Sequence, residues 1–155
     1  MKAITIWQPW ASLIMAGFKP YEFRGWPAPK SLVGQRVVIH AGSRPVREKE
    51  CHQLIAEIHA GEQISLVGGD RLLEFLEQTC IRPDRLPRAA GLGTVVLGAP
   101  KLASEIWPEA FKSDSDRIEH SNWAWPLSDV QHFTPIVPTP GRQGFWQWPW
   151  SGAPQ

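Results

Sequence analysis

Ala3-Ile4-Thr5-Ile6-Trp7-Gln8-Pro9-Trp10-Ala11-Ser12-Leu13-Ile14, closed by Gly17, turns from strand to helix within one short segment. Residues 3 to 6 alternate and are β-prone. Pro9 then stands where a helix can begin, because its missing N–H would have no partner in the first turn. Leu13 and Ile14 give that helix an apolar side, and Gly17 ends it. The next stretch, Lys19 to Trp26, has period two: Tyr21 and Phe23 fall on one face of a strand, Glu22 and Arg24 on the other. Lys19 stands at its entrance.

Outward from this opening, Val37-Val38-Ile39-His40 reads as a short buried strand ended by Ala41-Gly42-Ser43. A helix starting near Pro45 carries Cys51, Leu54, Ile55 and Ile58 on one face and stops at Gly61. A second helix is predicted from Asp70 as N-cap, with Leu72, Leu73 and Leu76. Arg82 to Arg88, with Pro83 and Pro87, reads as a loop. Gly91 to Gly98 returns to strand, and Glu105 to His120 is polar and ambiguous. Trp123 to Leu127 and Val130 to Val137 read as paired or successive strands, and Phe145-Trp146-Gln147-Trp148 as the last. Strands at both ends with helices between them predict a small barrel closed by the last strands and decorated by helical inserts.

The 155 residues suit one domain, taken as residues 1–150, with 151–155 expected as a disordered tail. No apolar run is long enough to span a bilayer, and Met1 to Ile6 does not open a secretory signal, so no membrane partner and a cytoplasmic location are expected. Cys51 and Cys80 are expected to stay reduced. No metal-ligand spacing occurs, and no cofactor is expected. The net charge of +1 conceals an asymmetry: residues 1–50 hold eight Lys/Arg against three Glu, net +5, leaving the rest at −4. A local positive surface is therefore available to an anionic ligand, unless the two halves intermix in space.

Lys19, Glu22 and Arg24 place two cations and a carboxylate on or beside one strand. Arg24 can grip a phosphate or a base edge through its planar fork, whereas Lys19 is a mobile point charge. Glu22 either accepts from an exocyclic amine or holds Arg24; the same three residues could equally form an internal ion-pair network. Trp7, Trp10 and Trp26 flank the cluster, and an unstacked base is commonly held on such rings; Trp10 is the favoured exposed platform, although core packing suits any one of them. Gln8 and Ser12 lie at the start of the first helix, where free N–H groups favour an anion, or serve as plain helix-end residues. His40 reads as a buried structural histidine. Ser43, Arg44 and Arg47 form a second basic edge. For general acid–base or nucleophilic work, Lys19 with Glu22 is the compact candidate.

The segment Trp7 to Ile14, followed by Gly17, Lys19, Glu22 and Arg24 in a Gly-x-Lys-x-x-Glu-x-Arg pattern, resembles the opening of the activating-signal-cointegrator homology (ASCH) domain. Ile39-His40-Ala41, Gly93 to Leu97, Trp125-Pro126-Leu127 and Gly144 to Trp148 continue the likeness. The resemblance implies an α+β fold: a β-barrel similar to the pseudouridine synthase and archaeosine transglycosylase (PUA) domain, with flanking helices and a cleft beside the first helix. It further implies that RNA, another nucleic acid or a nucleoside-like molecule is the partner, at Gln8, Trp10, Ser12, Lys19, Glu22, Arg24, Trp26, Ser43 and Arg44. Some relatives are ribonucleases, and one branch is an amidohydrolase that deacetylates N4-acetylcytidine with a Lys, a Thr and a Glu. The threonine of that branch follows the lysine by three positions, where this chain has Glu22, so deacetylation is not expected. Fold kinship alone does not assign an activity. The alternatives to a binding module are an enzyme on RNA or a nucleoside, with Lys19 and Glu22 catalytic, and an adaptor that meets a protein partner through an exposed Trp-rich patch.

Overall fold

A computed structural model describes residues 1–62, 64–106 and 123–150. The opening folds as the sequence predicts: β1 (Lys2–Ile6), α1 (Trp10–Met15) and β2 (Tyr21–Arg24). β3 (Arg36–Ala41), α2 (Glu48–His59), α3 (Asp70–Ile81), β4 (Ala90–Leu97), β5 (Lys101–Leu102), α4 (Ala103–Ile106), β6 (Trp123–Pro138) and β7 (Phe145–Gln147) follow. Short 3-10 turns at Lys30–Leu32 and Pro83–Arg85 punctuate the connections. The ambiguous stretch from Glu105 enters α4 and then, like the tail at 151–155, passes outside the described residues.

The sheet runs in the order β2-β6-β4-β3-β1-β7, with β5 added to β6, and only the β1–β3 pairing is parallel among those described. This is an α+β fold whose sheet curls as a half-barrel. The ladder path runs from β2 to β7 without joining its ends. Alternation along β1 and β3 explains the layers: Ile4, Ile6, Val37 and Ile39 enter the central core with Trp125, while Ala3 and Val38 enter a second cluster with Phe133, Trp146 and Trp148. A third cluster joins Leu13 and Phe18 to Leu54, Leu72 and Leu76, and so fastens α2 and α3 to α1.

Three expectations are corrected. Trp123 to Leu127 and Val130 to Val137 form one strand, not two. β6 pairs with β2 through Trp123 to Pro126 and with β4 from Leu127 to Pro138, and it bends where Asp129 takes a φ of 49°. Arg36 fixes that bend by donating to the Asp129 carbonyl at 2.9 Å and to the Asp129 carboxylate. α2 begins at Glu48 instead of near Pro45, because Arg47 is extended and Arg44 is drawn onto the Trp7 ring. α3 begins at Asp70, with Gly69 in the cap position at a φ of 55°.

No helix among the described residues is long and apolar enough to cross a membrane. Cys51 and Cys80 are free thiols on the facing helices α2 and α3, and burial pushes the Cys51 thiol up to about 12.

Candidate functional site

The turn after α1 sets up the charged cluster. Gly17 takes a φ of 81°, and the N–H groups of Phe18 and Lys19 both donate to the Leu13 carbonyl, at 2.9 and 3.1 Å. The chain then runs straight into β2, whose pleat puts Glu22 and Arg24 on one side. Lys19 Nζ lies 3.0 Å from Glu22 Oε2 and also donates to the Tyr21 carbonyl. Arg24 Nε donates to Glu22 Oε1 at 2.9 Å, while its Nη2 reaches across to the Thr5 carbonyl at 3.4 Å. One carboxylate thus holds two cations. The Lys19 and Glu22 side chains are only 7% and 10% exposed, against 23% for Arg24.

Beside this cluster opens a cavity of about 890 Å³, within the size range of ligand sites. Its wall comes from four separate segments: Thr5 to Trp7 with Trp10, the Glu22 to Trp26 region, Gly42 with Ser43, and the loop Gly141 to Gly144. Of the residues singled out in the sequence, Trp7, Trp10, Glu22, Arg24, Trp26 and Ser43 line it. Lys19 does not; it is buried behind Glu22. Gln8 and Ser12 are also buried off the wall, and Gln8 uses its amide on Ser12 Oγ, the Ser12 N–H and the Pro87 carbonyl at 2.7 to 3.0 Å. The helix start is therefore occupied by Gln8, and no free N–H at Ser12 awaits an anion. Arg44 lies off the wall but packs on Trp7, its guanidinium carbon 3.9 Å from a ring centroid. Arg47 is exposed and reaches Glu50 at 4.0 Å.

The aromatic assignment shifts as well. Trp10 is half-buried and packs against both the central core and the α2–α3 cluster, whereas Trp7 and Trp26 are 54% and 48% exposed on the same cavity. The polar side chains of the wall that sequence reasoning left out are those of Thr5, Arg142 and Gln143. A signal existed: pairing the last strand with the first, with Ile4 opposite Phe145, delivers the preceding loop to the end of β1. Of the cations in the first fifty residues, Lys19 and Arg44 pair with Glu22 and Glu50, already counted in the +5, and Arg36 pairs with Asp129 of the later half, which takes one charge from that surplus.

Under the cleft floor, His40 is fully buried as the sequence suggested. A carbonyl can only accept, so His40 Nε2–H donates to the Thr139 carbonyl at 2.7 Å, which leaves Nδ1 to accept from Thr5 Oγ1 at 3.2 Å. Thr5 Oγ1 in turn accepts from Trp146 Nε1 at 3.1 Å. Gly141 closes over this chain so tightly that a Cβ there would sit 2.6 Å from His40 Cε1. Both ring nitrogens of His40, the Thr5 hydroxyl and the Trp146 indole N–H are thus satisfied with a neutral imidazole. Burial holds the His40 pKa below its ordinary 6.5, against the opposing pull of the Thr139 carbonyl. The unfolded chain therefore takes up this proton first. Stability from His40 is present above about pH 6.5 and is lost as pH falls below it, by at most about 1.4 kcal/mol per pH unit. Urea unfolding of wild type and His40→Gln between pH 7.5 and 5.5 should show their stability difference narrowing as pH falls. A constant difference contradicts the assignment.

Compared with known proteins, the chain matches the ASCH domain over residues 4–98, from within β1 through β4, with the whole charged cluster inside the match. No curated protein matches. Among solved structures, the ASCH protein of Zymomonas mobilis aligns at 20% identity with a TM-score of 0.43, covering 84% of this chain and 68% of that one. The loop carrying Arg142 and Gln143 lies beyond the family match.

Proposed function

This chain belongs to the ASCH domain family, and on that premise we propose that it binds nucleic acid, with a single-stranded RNA segment or a single base entering the cleft beside β2. The observation that carries this reading is Arg24. Its guanidinium is fixed by Glu22 and the Thr5 carbonyl on the wall of a cavity that also presents the exposed rings of Trp7 and Trp26. A fork held in one orientation recognises a phosphate or base edge at little entropic cost. Rings beside it take a base that has left its stack. Arg142 adds a second cation to the wall. The proposal treats residues 1–150 as one cytoplasmic domain.

A titration of labelled single-stranded RNA across salt concentrations tests it. Affinity should fall with salt at a slope of about 0.7 per phosphate contacted. Arg24→Lys, which keeps the charge but loses the fork, should cost about 1.5–3 kcal/mol of binding, the worth of a hydrogen bond to a charged group. Binding undetectable at low salt, or flat with salt, would sink the reading.

Catalysis by Lys19 and Glu22 on RNA or a nucleoside is the second reading, and it rests on their 3.0 Å contact. Against it, Lys19 Nζ is taken up by Glu22 and the Tyr21 carbonyl, off the cavity wall. Under the binding proposal N4-acetylcytidine incubated with the protein stays unchanged, as does RNA.

A further inference from the structure

Trp7 follows β1 and escapes the alternation that buries Ile4 and Ile6. Its indole is more than half exposed, yet it is not loose. The Arg44 guanidinium covers one face at 3.9 Å, and a Cβ on Gly42 would stand only 2.9 Å from Trp7 Cδ1, so an edge is seated as well. Arg44 is itself anchored, its Nη2 donating to the Glu50 carboxylate oxygens at 3.4 and 3.3 Å. Trp7 lines the cavity and Arg44 does not, so the cavity meets the ring away from its covered face. An exposed ring held this way loses little freedom on binding, which is what a stacking platform needs.

Cations gather on the same rim. Arg88 is exposed, and its Nη1 donates to the carbonyl of Ser43, a wall residue, at 3.2 Å. Elsewhere on the wall, the Arg24 guanidinium lies 5.7 Å from the ring of Trp26. The cleft thus carries two exposed indoles from separate segments, each accompanied by arginine.

Resting on the nucleic-acid reading above, we propose that Trp7, not Trp10, is the base-stacking platform, held from behind by Arg44, and that Arg88 receives the adjoining phosphate. The ligand is then a single-stranded oligonucleotide segment, not a free nucleoside. A paired base has its faces covered by its neighbours in the duplex, so only a splayed one can lie on Trp7. A free nucleoside would leave Arg88 without the anion it suits.

The test uses the full chain and a short labelled single-stranded RNA. Trp7→Ala should weaken binding roughly ten- to a hundredfold, as loss of one stacked base does, while its melting temperature stays near wild type. Trp7→Phe should keep most of the affinity. Gly42→Val leaves Trp7 in place but displaces its ring, and it should weaken binding as Trp7→Ala does. Arg88→Ala should lower the salt slope by about 0.7, and a dinucleoside monophosphate should compete far better than cytidine or uridine. If Trp7→Ala binds as wild type while Arg24→Ala does not, the platform is overturned and the cleft stands. If nucleosides compete as well as the dinucleotide, the phosphate assignment is overturned. If wild type fails to bind, or neither variant weakens binding, the nucleic-acid reading of the cleft falls with it.

Discussion

Glu22→Ala should lower the melting temperature by roughly 6–20 °C, from a cost of about 3–5 kcal/mol for stranding a buried charge and about 2–4 °C per kcal/mol at this chain length. The reason is Lys19. Its Nζ is buried with two oxygen partners, the Glu22 carboxylate and the Tyr21 carbonyl, and removing the carboxylate leaves a buried cation without a counter-charge. Arg24 suffers less in stability, because it is partly exposed, but it loses the bond that aims its fork. Lys19→Met should be milder, since Glu22 keeps Arg24. Adding Lys19→Met to Glu22→Ala should recover much of the loss, as replacing both members of a buried pair does. Thermal unfolding of the three variants checks this, and a Glu22→Ala protein melting within about 2 °C of wild type would contradict it.

Trp125→Ala should be comparably severe, about 3–5 kcal/mol by the usual cost of deleting a buried tryptophan. Trp125 is 1% exposed, stacks on Phe145 with ring centroids 5.5 Å apart and planes 13° apart, and sits opposite Glu22 in the β2–β6 register. Its Nε1 also donates to the Trp26 carbonyl at 3.0 Å, so it ties the central core to the cleft wall. Trp125→Phe separates the two roles. It keeps an aromatic ring against Phe145 but loses the donor, so it should unfold only about 0.5–1.5 kcal/mol more easily from the lost bond while weakening RNA binding through a freed Trp26. Denaturant unfolding paired with a binding titration distinguishes these outcomes. A Trp125→Phe protein that binds RNA as wild type would show that Trp26 needs no anchor.

What could be read from the sequence was local. The alternation of Tyr21 to Arg24 placed Glu22 beside Arg24, and the structure joins them at 2.9 Å. The β1–α1 opening, the burial of His40 and the last strand at Phe145 followed from period, breaker residues and hydrophobicity alike. What could not be read was set by contacts distant in sequence. Trp10 and Trp7 are equivalent to any hydrophobicity argument; α2 and α3, packing through Leu54 and Leu76, half-bury the first and leave the second exposed. Gln8 looks like a free helix-end amide until the Pro87 carbonyl arrives from the loop before β4. Arg142 and Gln143 enter the cleft only because β7 pairs with β1. The continuity of β6 was hidden by Pro126 and by the polar pair Ser128-Asp129, which mimic a turn but form a bend pinned by Arg36.

The indole N–H region of a ¹⁵N NMR spectrum, recorded while single-stranded RNA is added, tests the cleft as the binding site most directly. The account predicts saturable shifts of the Trp7 and Trp26 signals, assigned by Trp7→Phe and Trp26→Phe, while the signal of Trp148, buried against Phe133 and off the cavity wall, stays in place. Saturable binding that leaves both Trp7 and Trp26 unmoved would contradict it.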